Sequence, residues 1–273
     1  MKTFFLLFSI FTIIGCNQTT KIAEEKIPVE KNNGIGDGAV SPAVAFAQNI
    51  ENNHQKEKFM EKEAVSFDIN LKFGGQTRLQ GKISMLTNSS KVRLDKKDGS
   101  SLIYDGSQLF IKPDTTKSQG ARFDIFTWQY FFAMPYKLTD PGTIWNMEDP
   151  AQFKAQEMET AKLSFEENTG DSPDDWYLVY QNPDTKLLQA ASYIVTFGGT
   201  SVEKAQEEPH AIVYNNYKNV EGIPFATNWV FYNWNKKDGF GDQLGEASIS
   251  NIEFFKADED YFAKPEHSRL VKE

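Results

Sequence analysis

The 273-residue chain is predicted to fold as a mainly β, antiparallel protein with two principal helices. Three observations carry that expectation. From Ala64 onward apolar and polar residues alternate, so that Val65, Phe67, Ile69, Leu71 and Phe73 share one face. The breaks between apolar runs carry hairpin chemistry, with Gly74-Gly75, Asp98-Gly99 and Asp105-Gly106. No helical pattern follows each strand, which argues against a parallel α/β sheet.

The first element is a secretory signal. Lys2 precedes the apolar run TFFLLFSIFTIIG, and Cys16 follows it. This is the basic, apolar, small-residue order of a signal peptide over residues 1–15. The run is shorter than the ~20 apolar residues that span a bilayer. The IIGC end resembles the lipobox of bacterial lipoproteins, in which the cysteine is acylated and becomes the first residue. Cys16 is also the single cysteine, so the mature chain has no disulfide and no thiol ligand. At ~0.8 kcal/mol per buried CH₂, several acyl chains on Cys16 anchor a protein stably where one chain does not. Asn17 follows the cysteine instead of the Asp that retains some bacterial lipoproteins at the inner membrane. An outer-membrane anchor facing the periplasm is therefore expected, with the membrane as partner. Residues 16–40 lack periodicity and read as a tether, which leaves 41–273 as one domain, expected to be monomeric. The formal charge of −9 and the absence of any Lys/Arg-rich run exclude a nucleic-acid role.

Ser41-Pro42 opens the first helix as N-cap and first helical residue. Ala43, Phe46, Ala47, Ile50 and His54 follow at helical spacing and predict one amphipathic helix over 41–60. His54, at the polar end of that stripe, reads as a surface or helix-end residue. Residues 64–113 read as a meander of about five strands. Six more are expected at 161–167, 175–181, 190–197, 209–219, 225–234 and 246–256. Polar turns such as NKKDGFGDQLG join them.

A second helix is predicted over 121–134 and stopped by Pro135. The stretch Phe123–Tyr136 holds seven aromatic residues in fourteen. Phe123, Phe126, Tyr130 and Met134 lie on one face with Phe131 beside them, while Trp128 and Phe132 fall on others. A membrane span is excluded by length and by Asp124. A helix apolar on every side needs cover on every side. Two covers remain open: packed core, or an apolar ligand in an aromatic-lined concavity.

The stretches YFFAMPYKLTDPG, DGSQLFI, YQNPDTKLLQAASYIV and VYNNYKNVEGIPFATNWVFYN resemble a group of Bacteroidota lipoproteins. In the order of its elements the chain resembles the Lol family of outer-membrane lipoprotein carriers over roughly 64–265. Tyr214, Tyr217, Val220, Gly222 and Ile223 fit the family's late strand motif, with Pro224 earlier than its pattern places the proline. The resemblance implies an unclosed antiparallel β-barrel of about eleven strands, with helices across its concave face and acyl chains in the cavity between. A lipid-anchored chain is similar to the receptor end of that family. The receptor's protruding apolar loop does not map onto this sequence.

Catalysis has no visible constellation: no Gly-x-Ser-x-Gly, no His-Glu-x-x-His, no cysteine pair and no P-loop. His54, His210 and His267 lie far apart in sequence. No metal site and no cofactor is expected, and the chain is read as a non-enzyme. The candidate ligand-binding residues are the inward faces of the strands and the helix. They are Val65, Phe67, Ile69 and Leu71; Tyr193 and Val195, with Phe197 on the same face; Phe225, Trp229 and Phe231; and Phe126, Tyr130, Phe131 and Met134. The alternative is a structural lipoprotein whose apolar face is filled core. Cavity volume separates the two readings.

Overall fold

The structure is a computed structural model and describes residues 39–272. The signal peptide, Cys16 and nearly all of the tether lie outside the described residues.

Thirteen strands form one antiparallel sheet among the described residues. They are β1 (Ala64–Phe73), β2 (Gln76–Leu86), β3 (Val92–Lys96), β4 (Ser101–Tyr104), β5 (Leu109–Lys112), β6 (Thr143–Phe153) and β7 (Gln156–Phe165). The remainder are β8 (Tyr177–Gln181), β9 (Leu188–Tyr193), β10 (His210–Val220), β11 (Ile223–Asn235), β12 (Gly239–Phe255) and β13 (Arg269–Leu270). Their order is β13-β5-β4-β3-β2-β1-β12-β11-β10-β9-β8-β7-β6. Two hairpin meanders are thus joined where β1 pairs with β12, from Ala64 opposite Phe255 to Phe73 opposite Gly245. The ends β13 and β6 do not pair, so the sheet is an unclosed barrel, as the resemblance implied.

The expectation of about eleven strands missed β6 and β13. The β6 sequence contains Glu148, Asp149 and Pro150, which interrupt its alternation, and the ladder to β7 shifts register between Glu148 and Ala151. β13 is two residues long and pairs only with β5.

The first helix is two helices, not one. α1 (Pro42–Asn53) is capped by Ser41, whose hydroxyl accepts from the Val44 N–H at 3.3 Å. α2 (Lys56–Met60) follows a break at Gln55, which is left-handed at φ 60°. Geometry explains the break. Ile50 faces the core, and nine residues at 100° each would aim Phe59 about 180° away on a straight helix. The turn at Gln55 brings Phe59 inward, where it is fully buried and stacks on Tyr136 at 3.9 Å.

His54 therefore sits at the end of α1 as expected, but it is wholly buried and not at the surface. Its Nε2 accepts the Leu188 N–H of β9 at 3.0 Å, and the rings of Tyr136 and Tyr217 lie edge-on at 5.8 and 5.5 Å. Burial lowers its pKa to about 3, against a smaller opposing effect of the Pro224 carbonyl. The imidazole is a neutral strut between helix and sheet. Glu51, one turn earlier, accepts from the backbone N–H and hydroxyl of Thr139 at 2.8 and 2.6 Å. These contacts fix α1 to the segment that leads into β6.

α3 (Ala121–Ala133) runs on into a 3-10 turn at Met134–Tyr136, where Pro135 cannot donate to continue the helix. Asp124 seats its first turn. That carboxylate is 2% exposed and receives Arg78 at 2.7 Å and Lys96 at 2.8 Å, from β2 and the end of β3. A short helix, α4 (Val202–Ala205), lies between β9 and β10. No helix among the described residues is long and apolar enough to cross a membrane.

Candidate ligand-binding site

α3 presents two different environments. On one side Phe132 is stacked on Phe67 at 3.9 Å and on Phe225 at 5.2 Å, with ring planes within 13° of parallel. Tyr136 donates to the Pro224 carbonyl at 3.0 Å, and Tyr214 donates to the Phe131 carbonyl at 3.0 Å. The void left among Phe132, Tyr136, Tyr217 and His54 is about 10 Å³. One water needs about that much, so this side is filled.

On the other side a cleft of about 890 Å³ opens to solvent. Its floor is α3, through Phe123, Phe126, Thr127 and Tyr130, with Trp128 and Phe131 at the edge of the core. One wall comes from the second meander: Thr143 of β6, Phe165 of β7, Tyr177 of β8, Tyr193 at the end of β9, and Val195 and Phe197 in the loop that follows it. The opposite wall is Phe73, Arg78 and Tyr104 of the first meander. The rings form a continuous lining: Tyr104–Phe126 at 5.0 Å, Phe123–Phe197 at 5.5 Å, Tyr130–Tyr177 at 5.6 Å and Phe131–Tyr193 at 5.1 Å. Phe123, Phe126 and Tyr130 recur at helical spacing and are only half-buried, unlike Phe132 at 4% exposure.

The rim is polar. Arg122 lies over the Phe126 ring at 5.1 Å and donates from Nε to Asp171 at 3.1 Å. Asp171 belongs to the loop between β7 and β8, which closes one end of the cleft. Gly142, at φ 86°, permits that loop to approach, since a Cβ there would collide with Thr169. Lys137 pairs with Asp140, and Asp175 accepts the N–H and hydroxyl of Thr196 at 2.7 and 2.8 Å. Burial raises the Asp175 carboxyl above its ordinary range, partly offset by those two donors. Burial lowers the His210 imidazole.

The sequence-predicted site residues divide between the two sides. Phe126, Tyr130, Phe131, Tyr193 and Val195 line the cleft, as does Phe197. Val65, Phe67, Ile69, Leu71, Met134, Phe225, Trp229 and Phe231 are 0–3% exposed and belong to the packed core instead. They do face inward, but rings of α2 and α3 already cover that face, as Phe59 and Phe132 do over Phe225 and Phe132 does over Phe67. Sequence reasoning puts Phe73 on the inward face of β1 but not among the ligand-binding candidates, which also lack Tyr104, Phe165, Tyr177 and the rim charges. Tyr177 alternates with Val179 and could have been found by period two. Tyr104 and Phe165 end their strands, where alternation says least.

Residues 124–244 match DUF6503, a family of unknown function. A search of curated proteins finds no match. Among solved structures the chain is similar to a LolA superfamily protein from Nitrosomonas europaea. The TM-score is 0.54 at 11% identity, over 83% of this chain and 99% of that one. It is also similar to a DUF1329 family protein from Desulfovibrio piger, with a TM-score of 0.50 at 11% identity, over 82% of this chain and 98% of that one. The fold is therefore LolA-like: an unclosed antiparallel sheet with helices across one face.

Proposed function

We propose that the protein is a lipid-anchored envelope lipoprotein that holds an acyl chain or another apolar ligand in the cleft beside α3. The observation that carries the reading is the cleft itself: about 890 Å³, lined by aromatic rings on both walls and floor. That volume falls within the range of small-molecule sites, and an acyl chain needs apolar area without directional bonds. Burying a fourteen-carbon chain releases on the order of 10 kcal/mol before association costs, at ~0.8 kcal/mol per CH₂. Association costs of about 4–15 kcal/mol leave at most about 6 kcal/mol, which caps the affinity near tens of micromolar for the chain alone. The LolA-like fold supports the same use of the cleft. The signal sequence and Cys16 support export and acylation, and Asn17 an outer-membrane destination.

Titration with a fluorescent fatty acid tests the ligand. Wild type binds it, and Phe126→Asp abolishes uptake while the melting temperature stays near wild type. Equal uptake by the variant refutes the placement. Labelled palmitate tests the anchor: it enters wild type, and its entry into Cys16→Ser would contradict acylation at that residue.

A further inference from the structure

Three phenols meet in the cleft. Tyr130 of α3, Tyr177 of β8 and Tyr193 of β9 all line it, with successive ring centroids 5.6 and 5.9 Å apart. Tyr177 and Tyr193 are only 7% and 8% exposed, yet none of the three hydroxyls meets a hydrogen-bond partner among the described residues. Tyrosines buried elsewhere in this protein do meet one: Tyr136, Tyr214 and Tyr217 each donate to a carbonyl. The hydroxyls of Tyr130, Tyr177 and Tyr193 instead stay accessible in the cleft, where three donors without a protein partner are open to an acceptor on a ligand.

The charges of the same cleft are settled among themselves. Arg78 shares Asp124 with Lys96, Arg122 is paired with Asp171, and Lys137 with Asp140. A ligand anion would gain no cation that lacks a carboxylate. It would also meet Asp175, whose charge acts on all three phenols. Burial raises each of those phenols well out of reach of ionisation, so they remain donors.

From this convergence we infer that the cleft selects an uncharged amphiphile whose polar end carries acceptor oxygens, of the acyl-ester class, held by the hydroxyls of Tyr130, Tyr177 and Tyr193. The inference rests on the acyl-binding reading above and adds the chemistry of the head.

The test uses the full chain and two probes with the same acyl chain, monomyristoyl glycerol and myristate, competed at pH 8 against a fluorescent fatty acid. The carboxylate is ionised at that pH. Wild type is expected to bind the monoacylglycerol about tenfold more tightly, the scale of one or two net hydrogen bonds. Replacing all three residues (Tyr130→Phe, Tyr177→Phe, Tyr193→Phe) removes only the hydroxyls and is expected to erase that preference. If the triple variant does not fold, Tyr130→Phe, at the half-buried position, is expected to narrow it two- to threefold. A preference for myristate, or one unchanged in the Phe variants, overturns the inference and leaves acyl binding standing. Binding of neither probe overturns both.

Discussion

The two sides of α3 are built from the same residue types and do opposite things. Phe132 and Phe126 lie six residues apart on one helix, yet Phe132 is stacked between two rings and Phe126 looks into open cleft. The difference lies in what faces them. Opposite Phe132 stand Phe67 and Phe225 from the central strands β1 and β11, backed by Phe59 of α2 and Tyr136. Opposite Phe126 the two meanders diverge, because the sheet never closes. Aromatic content alone distinguishes neither core nor site; the course of the sheet around the helix does.

The largest effect is expected on the filled side. Phe132→Ala loses both stacks and is expected to cost about 3–5 kcal/mol, read by urea denaturation. A cost below 1 kcal/mol would mean that this side is as open as the other.

Acidification probes the filled side through His54. Its pKa is about 3 in the folded protein and about 6.5 unfolded, so the unfolded chain binds the proton first. The stability it contributes is complete above about pH 6.5 and falls as pH drops toward 3, by up to ~1.4 kcal/mol per pH unit. Denaturation curves between pH 7 and 4 are expected to show that slope in wild type and a shallower one in His54→Gln. Parallel slopes would place His54 in contact with solvent.

Asp124 lies at the boundary between the sides. Asp124→Asn weakens the seat of α3 on Arg78 and Lys96, both partly exposed, and is expected to cost ~2 kcal/mol. Because Arg78 also lines the cleft, the substitution is expected to change ligand affinity as well as melting temperature. A variant with altered stability and identical affinity would separate the helix seat from the site.

The smallest stability effect is expected at Phe126→Ala, under about 1 kcal/mol, since a half-buried ring leaves little cavity behind. Affinity for a fatty acid probe is expected to fall about tenfold, comparable to one lost aromatic contact. A stability loss like that of Phe132→Ala would contradict the open cleft.

The antiparallel sheet was legible in sequence because alternation and Asp-Gly turns are local signals. The strand β1 and the helix α3 could be read almost to the residue. β6 was not, since Pro150 and two acids hide its pattern, and the break at Gln55 depends on where Phe59 must point. The site was half legible for a related reason. Periodicity says which face of β1 or β11 turns inward, and Phe67 and Phe225 do. Whether a helix already covers that face is a property of the whole chain path. Phe126 and Tyr130 could be recognised from the excess of rings on α3, whereas Tyr104 and Phe165 come from strand ends with no periodic signal.

The measurement that tests the account most directly is photo-crosslinking with an acyl chain that carries a diazirine near its end, followed by mass-spectrometric mapping of the adducts. The account predicts adducts on Tyr104, Phe123, Phe126 and Phe197, along the open side of α3 and away from the three phenols that hold the head. Adducts concentrated on Phe59, Tyr136 or Phe225, on the filled side, would contradict it.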